Sequence, residues 1–286
     1  MVSGIALIDK QQGLTSHDVV AKLRKQLGTK KIGHAGTLDP MATGLLLLGV
    51  NSGTKLMQFL SGLDKTYSAT IRLGAASSTD DAEGELGETR DASSISPAQI
   101  EFELAKLRGE IEQVPSSVSA IKVDGKRAYD LVRKGEEVVL KSRRVTVSRF
   151  QVIGELRAVG EFLDLDVEVD CSSGTYIRAL ARDLGEALGV GGHLTVLRRE
   201  RIGPFDLASS GEVSEDVELI SNGEVLSKLM PEVQLSRQQE IDLRHGKRLD
   251  VKITGVAFAT SEGNLVAVVE PKGNQLKSVV VFPEEA

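Results

Sequence analysis

A loop-forming segment at residues 33–44 constrains this chain more than any other stretch. It holds three glycines, one proline, one histidine and a single carboxylate, and the apolar run Leu45-Leu46-Leu47-Leu48 follows directly. Glycine permits backbone angles that other residues resist, and proline fixes its own, so the segment predicts a shaped loop that leads into a buried element. Its carboxylate, Asp39, precedes Pro40, which disfavours helix at Asp39. On local chemistry alone, a turn residue that caps the next element and a presented functional acid are equally good interpretations of Asp39.

Composition excludes several classes of protein. The 286 residues suffice for one large domain, or for a large and a small one. A single cysteine, Cys171, excludes an internal disulfide and a cysteine-rich zinc site, and the four scattered histidines show no metal-ligand spacing. Residues 2–8 are too short for a signal peptide, and no stretch approaches the length of a membrane span. We therefore expect a cytoplasmic protein without a metal site and without membrane association.

Charge is distributed unevenly along the chain. The net charge of −6 argues mildly against a nucleic-acid partner, although a total can conceal local patches. Residues 76–112 contain ten acids against three bases, whereas residues 121–150 contain nine bases against four acids. Such runs are most often solvated faces. A basic block beside an acidic one nevertheless permits a directed surface for a polyanion.

Hydrophobic periodicity predicts a chain that mixes helices and strands. Thr15 with Asp18 fits a capping box for the first helix, Pro97 opens a later helix, and Thr175 is the expected cap of another. We expect a surface loop over residues 77–96. Strands are expected at residues 4–9, 65–73, 138–153, 162–171, 196–205, 251–259, 265–269 and 278–282, and helices at 17–27, in part of 45–60, and at 97–107, 176–188 and within 211–229.

Three motifs are too particular to be explained by chance. They are Gly-His-x-Gly-Thr-Leu-Asp-Pro-x-Ala-Thr-Gly-Leu-Leu at 33–46, Asp-Lys-x-Tyr at 64–67 and Ser-Gly-Thr-Tyr-Ile-Arg-x-Leu-Ala-Arg-Asp-Leu-Gly at 173–185. Together with Lys-x-x-Gly-x-Thr-Ser at 10–16 and Leu-Arg-Arg at 197–199, they occur in the order found in the bacterial tRNA pseudouridine synthases of the TruB family. The chain closely resembles that family, and the likeness runs from about residue 4 to residue 205.

The resemblance implies an enzyme that isomerises uridine-55 in the T-loop of tRNA to pseudouridine, with no cofactor and no metal. The family's catalytic aspartate corresponds to Asp39, and whether it attacks the base or the ribose stays open. Either role needs a carboxylate as nucleophile, and the family arginine that corresponds to Arg178 supplies its counter-charge. Tyr67 corresponds to the tyrosine that contacts the flipped uracil and assists proton transfer.

Further residues carry over from the same likeness. His34 corresponds to a residue that holds displaced bases, and Tyr176 and Leu197 correspond to residues that line the uridine pocket. The basic block corresponds to the family's thumb hairpin, expected at about residues 115–150. We expect RNA contacts from Lys10, Lys126, Arg127, Arg143 and Arg144.

The implied architecture is an α+β fold. We expect a mixed or antiparallel sheet flanked by helices, with a central RNA-binding cleft, in a catalytic domain of residues 1–230. Residues 231–286 would form a small β-rich, PUA-like C-terminal domain. The expected partner is the tRNA T-arm stem-loop, bound by a monomer that needs no obligate protein partner.

Three other functions compete with this interpretation. A non-catalytic RNA-binding or RNA-folding protein on the same scaffold would not need the set of Asp39, Tyr67 and Arg178. A metabolic enzyme with an acidic surface is disfavoured because the chain lacks a nucleotide-binding glycine pattern. A guide-RNA-dependent pseudouridine synthase of archaea and eukaryotes shares the catalytic core, but this chain lacks long basic tails.

Overall fold

The computed structural model describes residues 2–116, 140–213 and 217–284, together with the backbone of residues 122–123 and 126–127. The strands are β1 Gly4–Lys10, β2 Ile32–His34, β3 Thr43–Val50, β4 Lys65–Leu73, β5 Gly109–Gln113, β6 Lys122–Val123, β7 Lys126–Arg127, β8 Arg143–Val159, β9 Phe162–Cys171, β10 Gly192–Ile202, β11 Phe205–Asp206, β12 Glu232–Gln234, β13 Ala257–Ser261, β14 Asn264–Lys272 and β15 Gln275–Val281. The α-helices are α1 Ser16–Gln26, α2 Met57–Leu60, α3 Pro97–Lys106, α4 Ile177–Ala187, α5 Asn222–Ser227 and α6 Arg237–Arg244, and 3₁₀ turns span Asn51–Leu56 and Leu207–Ser209.

Within the described residues, nine strands form one sheet. Its central order is β1-β3-β10-β4-β9-β8-β5, with β2 paired to β3 and β11 paired to β10. The β3–β10 pair is parallel, and the pairs β1–β3, β4–β10, β4–β9 and β8–β9 are antiparallel. Strands β12, β13, β14 and β15 form a second sheet. The predicted α+β fold, with a mixed sheet, flanking helices and a small β-rich C-terminal part, is confirmed.

Strand β3 is buried on both faces, which explains its run of four leucines. Leu46 and Leu48 pack in one core with α1, α3 and α4. Leu45 and Leu47 point the other way, into a second core that also contains residues of α2 and α5. A strand covered on both sides has no polar alternation, so its sequence does not distinguish it from a buried helix. The helix expected in residues 45–60 therefore exists only in its later part.

The second core joins the two sheets. It contains Ile5 and Leu45 of the large sheet together with Phe258, Val268 and Phe282 of the C-terminal part, and all five are at most 6% exposed. A third core lies within the C-terminal part and includes Leu243 of α6. Helix α6 was not predicted. We expected strands there only, and the first of them, at residues 251–259, begins six residues later in the structure, at Ala257.

Two local sequence signals had different outcomes. The predicted capping box of α1 is confirmed, because Thr15 and Asp18 exchange side-chain and backbone hydrogen bonds. The predicted cap of α4 is wrong: Tyr176 occupies the cap position, and the Thr175 hydroxyl donates to the Ser172 carbonyl at 3.0 Å instead. In residues 211–229, α5 is the only α-helix within the described residues, and residues 214–216 lie outside them.

Candidate active site

The backbone of the Asp39 loop is held in place from several sides. The Ser16 hydroxyl accepts from the Leu38 amide at 2.9 Å and donates to the Leu38 carbonyl at 3.1 Å. Gly44, with a φ of +99°, lies so close to β10 that a Cβ there would be 2.3 Å from the Arg199 carbonyl oxygen. Only glycine fits that position. The sequence-based prediction of a shaped loop leading into a buried element agrees with this arrangement.

Lys10 also supports the loop, from below. Its side chain is fully buried, and its ammonium donates to the carbonyls of Leu14 at 2.6 Å and Pro40 at 3.4 Å. Burial lowers the Lys10 pKa to about 8, against the opposing attraction of Asp39. The expectation that Lys10 contacts RNA disagrees with this burial, since the side chain has no exposed surface. Lys10 instead stabilises the Asp39 loop through its hydrogen bond to the Pro40 carbonyl.

Arg178, in the first turn of α4, joins two carboxylates. Its Nη2 lies 3.0 Å from Asp39 Oδ2, and its Nη1 lies 3.0 Å from Asp81 Oδ2. Nη1 also donates to the Thr79 carbonyl at 2.8 Å. The Arg178 and Asp81 side chains are almost fully buried, whereas the Asp39 side chain is 39% exposed. The arrangement fixes one oxygen of Asp39 and leaves the carboxylate accessible.

Asp81 was missed by the sequence analysis, which assigned residues 77–96 to a surface loop. The structure instead buries Asp81, whose Oδ1 accepts from the Glu83 amide at 3.0 Å. Burial raises the pKa of Glu83, and the nearby charges of Asp81 and Asp39 raise it further. No local pattern separates Asp81 from the other acids of this loop, because its partner lies 97 residues away in the chain.

Tyr67 and Leu197 reach the site from neighbouring strands. Tyr67 of β4 pairs with Arg199 of β10, and Ala69 pairs with Leu197, so these side chains share one face of the sheet. Tyr67 is buried, and the strand register places it directly beside Arg199. Burial raises the pKa of Tyr67, against the opposing Arg199 charge. Its phenol therefore stays neutral near pH 7.

Arg199 and Lys65 are two buried cations whose motifs were recognised in the sequence but to which no role was assigned. Arg199 donates to the Leu45 carbonyl at 2.7 Å and the Gly36 carbonyl at 3.2 Å, so it ties β10 to the Asp39 loop. The Lys65 ammonium donates to two carbonyls of the α2–β4 connection. Burial, and secondarily the Arg199 charge, lowers the Lys65 pKa to about 8. Lys65 lies between Asp64 and Tyr67 in the Asp-Lys-x-Tyr motif, and that position could have indicated a role for it.

These groups surround one cavity of about 250 Å³, called the Asp39 cavity below. Five residues predicted as catalytic or substrate-binding meet in its wall. The lining residues are Gly36, Thr37, Leu38, Asp39, Ser61, Lys65, Tyr67, Gly174, Thr175, Tyr176, Ile177, Arg178, Leu197 and Arg199. The cavity thus combines an accessible carboxylate, a buried guanidinium, a neutral phenol and apolar walls.

The remaining predicted residues lie elsewhere. His34 is on β2, outside the lining of the Asp39 cavity, with its ring 5.6 Å from that of His17. Burial lowers the His34 pKa, as does the nearby His17 charge. Arg143 places its guanidinium 5.5 Å from the centre of the Tyr176 ring, and Arg144 is exposed, 3.7 Å from Glu112.

Most of the predicted thumb hairpin, including residues 117–121 and 128–139, lies outside the described residues. The backbone of β6 pairs with that of β7 in antiparallel register, in line with a hairpin at this point. The side chains of Lys126 and Arg127 are outside the described set, so their expected RNA contacts stay predictions.

The described residues form neither a candidate metal site nor a candidate membrane span. No group of three or more His, Cys, Asp or Glu side chains in this part of the chain is arranged to hold a metal ion. Across the same described ranges, no helix is both long enough and apolar enough to span a membrane.

Comparison with known proteins accounts for nearly the whole chain. Residues 24–177 match the family model described as TruB family pseudouridylate synthase (N terminal domain). Residues 178–229 match the tRNA pseudouridylate synthase B C-terminal domain, and residues 230–283 match tRNA Pseudouridine synthase II, C terminal.

Individual relatives agree with the family models. The tRNA pseudouridine synthase B of Leifsonia xyli subsp. xyli (strain CTCB07) is 51% identical, over 99% of this chain and 97% of that protein. The protein of the same name from Corynebacterium glutamicum (strain R) is 52% identical, over 97% of this chain and 95% of its own. A solved Cbf5-Nop10-Gar1 complex contains a chain that superposes with a TM-score of 0.71 at 25% identity, over 98% of this chain and 85% of that one. With these matches beside the geometry of the Asp39 cavity, the chain belongs to the TruB family of pseudouridylate synthases.

Proposed function

We propose that this protein isomerises uridine-55 in the T-loop of tRNA to pseudouridine, with Asp39 as the nucleophile. The observation that carries the proposal is the accessible Asp39 carboxylate, held 3.0 Å from the Arg178 guanidinium in the wall of the Asp39 cavity. The relatives of about 50% identity are named tRNA pseudouridine synthase B, which supports tRNA as the substrate.

The proposed reaction exchanges one bond of the nucleoside for another. The bond between ribose C1′ and N1 of uracil breaks, a bond between C1′ and C5 forms, C5 loses its proton and N1 gains one. Atoms and electrons balance within the substrate, so the conversion needs no oxidant, reductant or donor. A carboxylate nucleophile divides such a conversion into two easier steps, and attack by Asp39 on either the base or the ribose satisfies this scheme.

The uridine must leave the RNA stack to reach Asp39. Extruding a base costs a few kcal/mol, and stacking on an aromatic side chain returns about 1–3 kcal/mol. Tyr67 supplies an aromatic ring in the Asp39 cavity, and Leu197 adds an apolar wall. The neutral Tyr67 hydroxyl is also suited to take part in the transfer of the C5 proton.

Contacts outside the cavity would hold the T-arm. We propose that the hairpin at about residues 115–150, with Lys126, Arg127, Arg143 and Arg144, binds the RNA backbone, because basic side chains neutralise phosphates. We also propose that residues 1–230 act as the catalytic domain and residues 231–286 as a PUA-like module that touches the tRNA elsewhere. The enzyme would act as a monomer in the cytoplasm.

One experiment tests the proposal directly. A T-arm stem-loop RNA is incubated with purified, dialysed protein in EDTA and without added cofactor, and pseudouridine is mapped along the RNA. The expected result is one pseudouridine at the position of uridine-55. A parallel reaction with Asp39→Asn separates catalysis from RNA binding alone. An RNA left unmodified by the wild-type protein would contradict the proposal.

A further inference from the structure

A glutamine outside the Asp39 cavity holds the backbone of Tyr176. Gln113 is the last residue of β5 and is only 1% exposed. Its Oε1 accepts from the Tyr176 amide at 2.9 Å, and its Nε2 donates to the Tyr176 carbonyl at 3.1 Å. One side-chain amide therefore satisfies both polar backbone groups of one residue, as a neighbouring strand would.

The two hydrogen bonds from Gln113 act at the N-terminus of α4, which has no side-chain cap. Tyr176 occupies the N-cap position, and its side chain makes no capping hydrogen bond. The first amides of a helix have no partner within the helix and need one from outside. Gln113, on strand β5, supplies such a partner to the Tyr176 amide. Tyr176 precedes Arg178 by two residues. The position of the Arg178 guanidinium beside Asp39 therefore depends on where Gln113 holds the helix start.

Two further contacts tie the same strand ends to α4. Arg143 is paired directly with Gln113 at the last rung of the β5–β8 ladder, and its guanidinium packs against the Tyr176 ring. The Val114 carbonyl, one residue after Gln113, accepts from Arg182 Nη2 at 2.7 Å. The Tyr176 backbone, the Tyr176 ring and helix α4 therefore all contact the same end of the β5–β8 strand pair.

Building on the proposed function, we propose that Gln113 is a positioning residue for the isomerisation. It acts through the Tyr176 backbone to set the Tyr176 ring and the Arg178 guanidinium against a bound uridine. Catalysis is sensitive to such placement, since a displacement of about 1 Å costs about 100-fold in rate. The amide is buried and lies outside the lining of the Asp39 cavity, so its proposed effect on the uridine is indirect.

The kinetic test replaces Gln113 by methionine. Gln113→Met keeps the length of the side chain and removes both hydrogen bonds. We expect kcat, measured under multiple turnover at saturating T-arm RNA, to fall about 100-fold. RNA affinity should stay near the wild-type value.

A matched control removes a buried amide elsewhere. Asn222 is 2% exposed, donates to the Ser52 hydroxyl at 2.8 Å and does not line the Asp39 cavity. We expect Asn222→Leu to lower the melting temperature and to leave kcat unchanged. Loss of kcat in the control to the same degree would show that any buried amide has this effect and would overturn the inference.

A spectroscopic readout is independent of activity. The chain has three tyrosines, so protein labelled with 3-fluorotyrosine gives three ¹⁹F signals. Tyr176→Phe assigns the Tyr176 signal. In Gln113→Met we expect this signal to shift or broaden while the Tyr67 signal stays in place, and in Asn222→Leu we expect the Tyr176 signal to stay in place.

The outcomes separate this inference from the proposed function. If the wild type forms no pseudouridine, the proposed function fails, and the ¹⁹F spectra still show whether Gln113 positions Tyr176. If the wild type is active and Gln113→Met keeps its kcat, or leaves the Tyr176 signal unchanged, the positioning role is overturned.

Discussion

Asp81 Oδ2 lies 3.0 Å from Arg178 Nη1, and both side chains are almost fully buried. The second terminal nitrogen of Arg178 is thereby left to face Asp39. The buried carboxylate thus determines the direction in which the guanidinium points, and the accessible carboxylate receives it. Two ion pairs therefore connect Asp81, in the loop at residues 77–96, through Arg178 to Asp39.

Replacing Asp81 should therefore damage stability and turnover together. Arg178 would keep Asp39 as a partner, so the cost lies below that of a buried charge left without compensation and is about 1.5–3 kcal/mol, as for a hydrogen bond to a charged group. We expect Asp81→Asn to lower the free energy of unfolding in urea by about that amount and to reduce pseudouridine formation. Asp80→Asn is the control, since Asp80 pairs with Arg182 in a more exposed place and should cost less. Equal losses in the two variants would contradict this account.

Asp39→Asn should abolish turnover and leave the fold and most RNA binding intact. The amide preserves the shape of the side chain but is not a competent nucleophile. Mapping of pseudouridine measures the first effect, and a gel-shift titration with the T-arm stem-loop measures the second. Pseudouridine formed at the normal rate by this variant would remove Asp39 from the mechanism.

Tyr67→Phe should reduce turnover more than RNA binding. The phenylalanine ring keeps the stacking surface, whereas the variant lacks the hydroxyl proposed to take part in proton transfer. Loss of a positioned acid–base group costs about 10²- to 10⁴-fold in rate, so the single-turnover rate should fall within that range. Equal loss of rate and affinity would assign Tyr67 a purely structural role.

Gly44→Ala should destabilise the protein more than Gly28→Ala. Both glycines have positive φ, at +99° and +60°, so both variants carry backbone strain. Only at Gly44 would the new Cβ also meet the Arg199 backbone, since nothing lies within 4 Å of a Cβ at Gly28. Overpacking adds about 1–3 kcal/mol, and urea unfolding of the two variants measures the difference. Similar losses would show that the close approach to Arg199 is unimportant.

Lys65 should make stability depend on pH in an unusual direction. Its pKa is about 8 in the folded protein against an ordinary 10.5, so between these values the unfolded chain binds more protons. Above pH 10.5 Lys65 is neutral in both states and does not lower the free energy of unfolding. As pH falls through 8, Lys65 becomes charged in the folded protein too, and the cost of burying that charge then destabilises the fold in full. The unfolding free energy of the wild type relative to Lys65→Met should rise with pH in this window, by up to about 1.4 kcal/mol per pH unit. A difference that is constant with pH would contradict the buried state of Lys65.

Local chemistry was predictable where the determinants lie close together in sequence. The Thr15–Asp18 capping box needs only four residues, and it forms as expected. The alternation around Tyr67 correctly predicts β4 and its buried face. The ordered motifs predicted more than local structure. They assigned Asp39, Tyr67 and Arg178 to one site, and the three side chains line the same cavity.

The errors share a physical cause, which is dependence on distant contacts. Asp81 resembles its acidic neighbours until Arg178 is placed against it. Thr175 is a good cap by composition, but Gln113 reaches the helix start from another strand. Lys10 has the charge of an RNA-binding residue and is instead enclosed beneath the Asp39 loop. Sequence indicates what these side chains are able to do, and tertiary packing selects among those roles.

The core shared by the two sheets has a consequence for how the chain unfolds. Phe258, Val268 and Phe282 cover apolar side chains of β1 and β3, and β3 directly follows the Asp39 loop. Neither sheet can bury this surface alone, so losing the C-terminal sheet would expose apolar side chains of β1 and β3 to water. The C-terminal sheet therefore supports the strand that follows the Asp39 loop, and the chain should melt as one cooperative unit.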